Sequence, residues 1–111
     1  MRMWMCPADI LCMRHILGEH GELHKFRHNF VKGHSIEGRR GQIEPASMRI
    51  RHDALVYEML KRGMKHNSPY EQPDLSHYDL TGHVVDKDAA LEDLLHRCPD
   101  CRQRYKERLV S

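Results

Sequence analysis

Glu22 is the residue of this 111-residue chain best placed to do chemistry. It belongs to Arg14-His15-Ile16-Leu17-Gly18-Glu19-His20-Gly21-Glu22-Leu23-His24-Lys25, which reads as the middle of an amphipathic helix. At about 100° per residue, Met13, Ile16, Leu17, Leu23 and Val31 fall on one side, and Arg14, His15, Gly18, Gly21, Glu22 and Lys25 on the other. A solvated face normally takes good helix formers, and each glycine there costs about 1 kcal/mol relative to alanine. The two glycines leave a smooth groove beside Glu22 where another backbone can come close. A carboxylate in that position can stabilise a developing cation and move protons, while the cations around it grip an anion.

Two further sets of side chains have ligand chemistry. Cys98-Pro99-Asp100-Cys101 is a CxxC pair and Cys12-Met13-Arg14-His15 a CxxH pair, with Cys6 as another thiol. Four such ligands close a tetrahedral zinc site, which supports an alternative reading of the protein as a zinc-binding helical interaction module without catalysis. His20, His24 and His28 recur at i, i+4 and i+8, the spacing of a metal-dependent hydrolase with ligands on one face. His20 and His24 lie toward the apolar side, however, away from Glu22, and the His-Glu-x-x-His arrangement is absent. These histidines read as the boundary of the core.

The elements that position these groups follow from punctuation and periodicity. Met1, Met3, Trp4 and Met5 exposed together would make a sticky patch, so residues 1 to 6 are expected to lie against the domain. Pro7 suits the first turn of a helix and Asp9 its positive end, giving a first helix from about 7 to 31 that Gly33 ends. Residues 32 to 47 form a loop whose Arg39-Arg40 pair suits either a phosphate backbone or a solvated turn. A second helix follows from Pro45, with Met48, His52, Leu55 and Met59 as its core stripe beside Val56 and Leu60, and Gly63 as its stop. A lone histidine on such a stripe, His52 here, is more often a core residue than a ligand. Residues 67 to 85 form a long irregular connection of the kind that is usually functional or mobile. Asp86 caps a third helix with Ala89, Ala90, Leu91, Leu94 and Leu95 on its buried side, Pro99 breaks it, and the basic tail from Arg102 to Arg108 continues helically. The fold expected is all-α: one small three-helix domain over 1–111 with long irregular loops.

Composition narrows the class. No apolar run approaches the roughly 20 residues of a membrane span, and residues 1 to 7 are too interrupted for the apolar core of an export signal. The four cysteines are too few for a disulfide framework, so a cytoplasmic protein with reduced thiols is expected. The net charge of +2 hides an asymmetry. Residues 1 to 66 carry 12 Lys and Arg against 7 Asp and Glu, and residues 67 to 111 carry 6 against 9. The basic part contains the Glu22 helix, and nucleic acid is the commonest anionic partner of such a face.

Arg14 to Leu23 resembles the first-helix motif of the phage-type pyrimidine-dimer DNA glycosylase/AP lyases. Arg51-His52-Asp53-Ala54-Leu55 through Glu58-Met59-Leu60-Lys61-Arg62-Gly63 looks like that family's second helix, and Arg97 to Tyr105 is similar to its basic C-terminal segment. Here the middle loop is shorter, the aromatic C-terminal cluster is reduced to Tyr105, and Gly21 stands where the family has an arginine. The resemblance implies a cofactor-free and metal-free repair enzyme, acting as a monomer on double-stranded DNA that carries a pyrimidine-dimer-like lesion or an abasic site. The nucleophile it implies is the N-terminal α-amine, which carries over to Met1 because Arg2 is too bulky for ready removal of the initiator. With a reference pKa of about 7.7 to 8.0, a useful fraction of such an amine is neutral near physiological pH. Glu22 carries over as the catalytic carboxylate. Arg2, Arg14, His15 and Lys25 match or neighbour DNA-contacting positions, with Arg39, Arg40 and Arg97 as further phosphate contacts. The middle loop is the candidate for holding a flipped nucleotide.

Overall fold

In the computed structural model, which describes residues 2–110, four α-helices carry the chain: α1, Met13–Val31; α2, Met48–Lys61; α3, Lys87–Arg97; and α4, Pro99–Val110. No strand occurs among the described residues. The all-α expectation holds, with one helix more than expected: the chain breaks at Cys98, and Pro99 opens α4 as its first residue, where a missing N–H costs nothing. Asp86 caps α3 as expected, its side chain accepting from the Ala89 N–H at 3.1 Å.

The first helix begins six residues later than its periodicity suggests. Ala8–Ile10 form one turn of 3₁₀ helix, and Leu11 and Cys12 are extended. Tertiary partners take the backbone groups that a longer helix would have paired internally. Arg62 Nη2 donates to the Leu11 carbonyl at 2.7 Å, and the Cys12 N–H donates to Cys101 Sγ at 3.2 Å. At the other end Gly33 takes φ 76°, a left-handed value that turns the chain out of the helix, and Gly63 (φ 82°) does the same after α2.

The buried stripe of α1 is rotated from the one expected. Ile16, Leu23, Phe26 and Phe30 are buried, but Met13, Leu17 and Val31 are 48, 47 and 58 % exposed. The residue that joins the stripe in their place is Glu19. Its carboxylate receives Arg51 of α2 in a two-point contact, Nε to Oε2 at 2.6 Å and Nη2 to Oε1 at 2.8 Å, and the Arg51 Nη1 group also donates to the Cys6 carbonyl. One buried guanidinium thus fixes α1, α2 and the N-terminal segment to one another. The side chains of α2 that surround it, Met48, Leu55 and Met59, are buried as expected, whereas Leu60 is 56 % exposed.

The N-terminal segment is itself part of the core. Met3, Trp4 and Cys6 are buried, and the Met3 N–H donates to the Gln42 carbonyl at 2.8 Å. Met5 between them has φ 56°, the left-handed region that costs a non-glycine residue roughly 1–2 kcal/mol. The buried neighbours on either side hold it there.

Removing one partner of a buried, hydrogen-bonded ion pair typically costs about 3–5 kcal/mol, because the other charge is left without compensation. Arg51→Ala is therefore expected to lower unfolding stability by about that much in urea titrations, and Glu19→Met with Arg51→Met to lose less than Arg51→Ala alone. A single variant within about 1 kcal/mol of wild type would refute the structural role given to the pair.

Candidate active site

Glu22 opens onto a cleft of about 240 Å³ lined by Arg2, Trp4, Arg14, His15, Gly18, Glu19 and Glu22 itself. The helix supplies five of these and the N-terminal segment supplies Arg2 and Trp4, so the burial of Met3 and Trp4 brings residues 2 to 4 to the carboxylate. The Glu22 side chain is only 12 % exposed, with Oε1 at 3.6 Å from Lys25 Nζ and a buried Oε2 that accepts no hydrogen bond. Across the cleft the Arg2 guanidinium lies 4.7 Å over the Trp4 ring, with Nη1 at 3.7 Å from Asp93 of α3 and a buried Nε that has no partner. An acid and a base are thus each left with one unused hydrogen-bonding atom in the same small space.

The remaining sequence-assigned residues divide. Arg14 lines the cleft and Lys25 flanks Glu22. Arg97 joins through Asp93, whose Oδ1 lies 3.0 Å from Arg97 Nε while Oδ2 faces Arg2. Arg39 stacks over Phe26, one turn along α1, at 5.3 Å. Arg40 donates to the Thr81 carbonyl at 2.8 Å and does not line the cleft. His15 lines the cleft but gives its Nδ1 to sulfur, 3.1 Å from Cys12 Sγ and 3.6 Å from Cys101 Sγ. Met1 lies outside the described residues. The middle loop contributes nothing to the lining of this cleft. Its residues Asp74, His77 and Tyr78 instead border a cavity of about 510 Å³ at the far end of α1 with Phe30, Val31 and Gly33, roughly 12 Å along the helix from Glu22.

The CxxH and CxxC pairs meet, although Cys12 and Cys98 are 86 residues apart in sequence. Cys12 Sγ lies 3.8 Å from Cys98 Sγ, the Cys101 N–H donates to Cys98 Sγ at 3.4 Å, and the ligand atoms of Cys12, His15, Cys98 and Cys101 all lie within 4.8 Å of one another. Burial raises the Cys98 thiol, but hydrogen bonds from the Cys101 and Asp100 backbone and from its sister thiols outweigh it and hold Cys98 below its ordinary value. Burial pushes Cys101 up to about 12. Cys6 stands apart, buried beside Arg51 and pushed up to about 11, again by burial. His28 is exposed on α1, unlike the half-buried His20 and His24, so the hydrolase trio set aside on sequence grounds gains no support.

A small all-α protein whose cleft frames a carboxylate beside Arg2, Arg14 and Trp4 has the features of an enzyme that works on a polyanion. A family model for pyrimidine dimer DNA glycosylase matches residues 1–72, and the chain belongs to that family. No curated protein and no solved structure matches the chain. Family membership makes this a DNA repair glycosylase in kind, with DNA as its substrate. The match spans the N-terminal segment, α1 and α2, and ends before α3 and α4, so the likeness of residues 97–105 to the family's C-terminal segment falls beyond it. No described helix is long and apolar enough to cross a membrane.

A methyl group added at Gly18 or Gly21 would meet nothing within 4 Å. Alanine at either position should therefore raise thermal stability by about 0.5–1 kcal/mol. If the glycines keep the groove open for a DNA backbone, the same variants bind duplex DNA more weakly than wild type. Paired melting and gel-shift measurements check this, and stabilised variants with undiminished DNA binding would show that the groove is not used.

Proposed function

We propose that this protein removes a damaged base from duplex DNA and nicks the abasic product, using the α-amine of Met1 as nucleophile and Glu22 as the carboxylate that assists it. The observation that supports this reading most is Glu22, the family's glutamate. It is nearly buried in the cleft beside Arg2, with one carboxylate oxygen unpaired. The amine nitrogen attacks the sugar C1′ as the bond from C1′ to the base breaks. The base leaves with the bonding pair and takes up a proton. Loss of the amine proton and opening of the sugar ring give an imine between Met1 and C1′. Removal of a proton from C2′ then expels the 3′ phosphate and breaks the strand. Positive charge develops at C1′ as the base departs and again in the protonated imine, and the nearly buried Glu22 carboxylate stabilises it each time. Arg2, Arg14, Lys25, Arg39 and Arg97 hold phosphates on either side.

Borohydride is expected to trap a covalent protein–DNA adduct on abasic duplex. Glu22→Gln keeps shape and hydrogen bonding but removes the charge, so DNA affinity should persist while single-turnover cleavage falls by about 10²-fold or more. Arg14→Ala and Lys25→Ala are each expected to reduce the slope of log affinity against log salt by about one unit, as one phosphate goes unneutralised in each variant. Wild-type cleavage by the Gln variant would remove Glu22 from the mechanism.

The N-terminal amine admits a stricter test. Extending the chain by a short N-terminal peptide turns the Met1 nitrogen into an amide, whose delocalised lone pair cannot form an imine. Cleavage should vanish while the fold and much of the DNA affinity remain, and a C-terminal extension of equal length should do far less. Full activity in the N-extended protein would exclude Met1.

A specific observation favours a second reading alongside the first. We infer that Cys12, His15, Cys98 and Cys101 hold a structural zinc ion. A tetrahedral zinc with ligands at about 2.3 Å for sulfur and 2.0–2.1 Å for nitrogen sets sulfur atoms about 3.8 Å apart and sulfur and nitrogen about 3.6 Å apart. The side chains already stand at 3.8 Å and at 3.1 and 3.6 Å. Such an ion pins α1 to the start of α4. Chelation is expected to lower the melting temperature without stopping imine trapping in protein that remains folded. Zinc binding with no trapped adduct under any condition would favour the interaction module that lacks catalysis.

A further inference from the structure

On the side of α1 opposite Glu22, four histidines from three parts of the chain converge. His20 and His24 lie two residues before and after Glu22, so at about 100° per residue each points roughly 160° away from it. His52 comes from α2 and His66 from the segment that follows α2. The ring centroids of His20 lie 4.7, 5.0 and 5.0 Å from those of His24, His52 and His66, and His24 and His66 stand 5.2 and 5.3 Å from His52. One ring nitrogen of each lies within 4.8 Å of the others. His66 Nε2 is 3.1 Å from His20 Nε2, while the Nε2 atoms of His24 and His52 are buried and have no hydrogen-bond partner. Burying polar nitrogens without partners is costly, and two unpartnered nitrogens in one cluster call for a ligand that accepts lone pairs.

We propose that His20, His24, His52 and His66 form a binding site for a divalent transition-metal ion of the zinc, cobalt or nickel kind, separate from both the Glu22 cleft and the cysteine cluster. Metal–nitrogen bonds of about 2.0–2.1 Å in a tetrahedron put nitrogen atoms about 3.3 Å apart, close to the His20 to His66 separation. Imidazole suits these ions, whereas calcium and magnesium take oxygen ligands. The orientation of one ligand is already set: Asp53 Oδ1 lies 3.2 Å from His52 Nδ1. A carboxylate there accepts a hydrogen bond from the Nδ1–H and leaves the Nε2 lone pair free to coordinate, the outer arrangement that metal-binding histidines use. Tyr70 stacks on His52 at 4.7 Å and closes one side of the cluster. Three of the imidazoles are also biased toward the neutral form that a metal requires. Burial first, and then the other three histidines, lower His20 to about 4, and burial lowers His24 and His52 as well.

Four neutral ligands leave the ion its double positive charge, in contrast to the cysteine site, where three thiolates would more than cancel it. What the ion joins is also different. It ties α1 to α2 and holds down the start of the middle loop through His66, next to the Tyr70 that stacks on the cluster. The site is thus a clip on the loop, and its role is distinct from the DNA chemistry proposed above.

The test uses the full chain without a polyhistidine tag, metal-stripped and then titrated with zinc or cobalt. Wild type is expected to take two equivalents, His20→Ala with His66→Ala to take one, and Cys98→Ser with Cys101→Ser to take one. Cobalt in the cysteine variant should show visible d–d bands but no thiolate charge-transfer absorption, the signature of a nitrogen shell. In the wild-type protein, long-range ¹H–¹⁵N spectra are expected to show the Nε2 resonances of the four histidines moving together on adding zinc, with those of His28, His34 and His77 unmoved. Hydrogen exchange over residues 64–72 should slow at the same metal concentration. Two equivalents bound by the histidine variant, or zinc-loaded wild type in which these four imidazoles do not shift, would overturn the site. The spectra decide the matter even if a variant fails to fold, and no measurement involves DNA, so failure here leaves the glycosylase reading where it stands.

Discussion

One buried guanidinium fixes the frame in which the N-terminal segment meets the Glu22 helix. Arg51 gives two hydrogen bonds to Glu19 and a third to the Cys6 carbonyl, with side-chain exposures of 6 and 0 % for the pair. Removing both charges from water is expensive, and a buried pair repays the cost only when the remaining hydrogen-bonding positions are filled. Here they are filled by backbone as well as side chain. The return is positional: a hydrophobic pair would allow α1 to roll against α2, whereas a two-point carboxylate contact fixes both the rotation of α1 and its height. Rotation decides which way Glu22 looks. The Cys6 carbonyl on the third hydrogen bond then decides where residues 2 to 5 run.

With its rotation fixed, α1 offers distinct sectors. One faces the cleft with Glu22, Gly18 and His15, one packs into the core with Ile16, Leu23 and Phe26, and one carries His20 and His24 toward α2. Three kinds of chemistry can share a helix of 19 residues because the sectors are separated by angle rather than by distance along the axis. The helices beyond the family match add to the first sector without redesigning it. Asp93 of α3 reaches Arg2, and the Cys98 to Cys101 turn meets Cys12 and His15. Fastening α4 at the first turn of α1 steadies the same end of the helix that the N-terminal segment crosses.

Much of this was legible in the sequence where the signal is local. Asp86 acts through its side chain on an N–H three residues on, Gly33, Gly63 and Pro99 act through their own backbone, and each marks its boundary where a reader of the sequence would put it. The approach of CxxH to CxxC was also legible as a possibility, since both spacings are those of ligand pairs. What was hidden depends on partners distant in sequence. Periodicity alone gives Glu19 no reason to be buried and leaves Leu17 and Met13 as core, because the hydrophobic pattern cannot see that an arginine 32 residues away has a carboxylate to meet. The late start of α1 has the same origin, in Arg62 and Cys101 competing for backbone groups. The four-histidine cluster was masked by a sound rule applied to one residue at a time. His52 alone on a core stripe reads as filler, and only the fold shows that two histidines of α1 stand at the same level. A signal was present in the i, i+4 pair of His20 and His24 on the apolar side of their helix. Its completion by His52 and His66 was not.

The cleft shows how such a frame treats a functional group differently from a structural one. Glu19 and Glu22 are one turn apart on the same helix and both are largely removed from water, yet Glu19 has both oxygens paired by Arg51 and Glu22 has one oxygen left over. Arg2 and Arg51 repeat the contrast among the bases: Arg51 uses all three of its nitrogen positions, and the Arg2 Nε has no partner. A fold optimised for stability alone would pair the leftover oxygen, and the exposed glycines beside it would be alanines. The protein carries these costs together in one place, along with the left-handed backbone of Met5 just upstream. Strain and unsatisfied polar atoms that cluster in this way are the ordinary mark of a site completed by its ligand. For the reading proposed here, the ligand that completes it is a sugar on which positive charge develops within reach of Glu22.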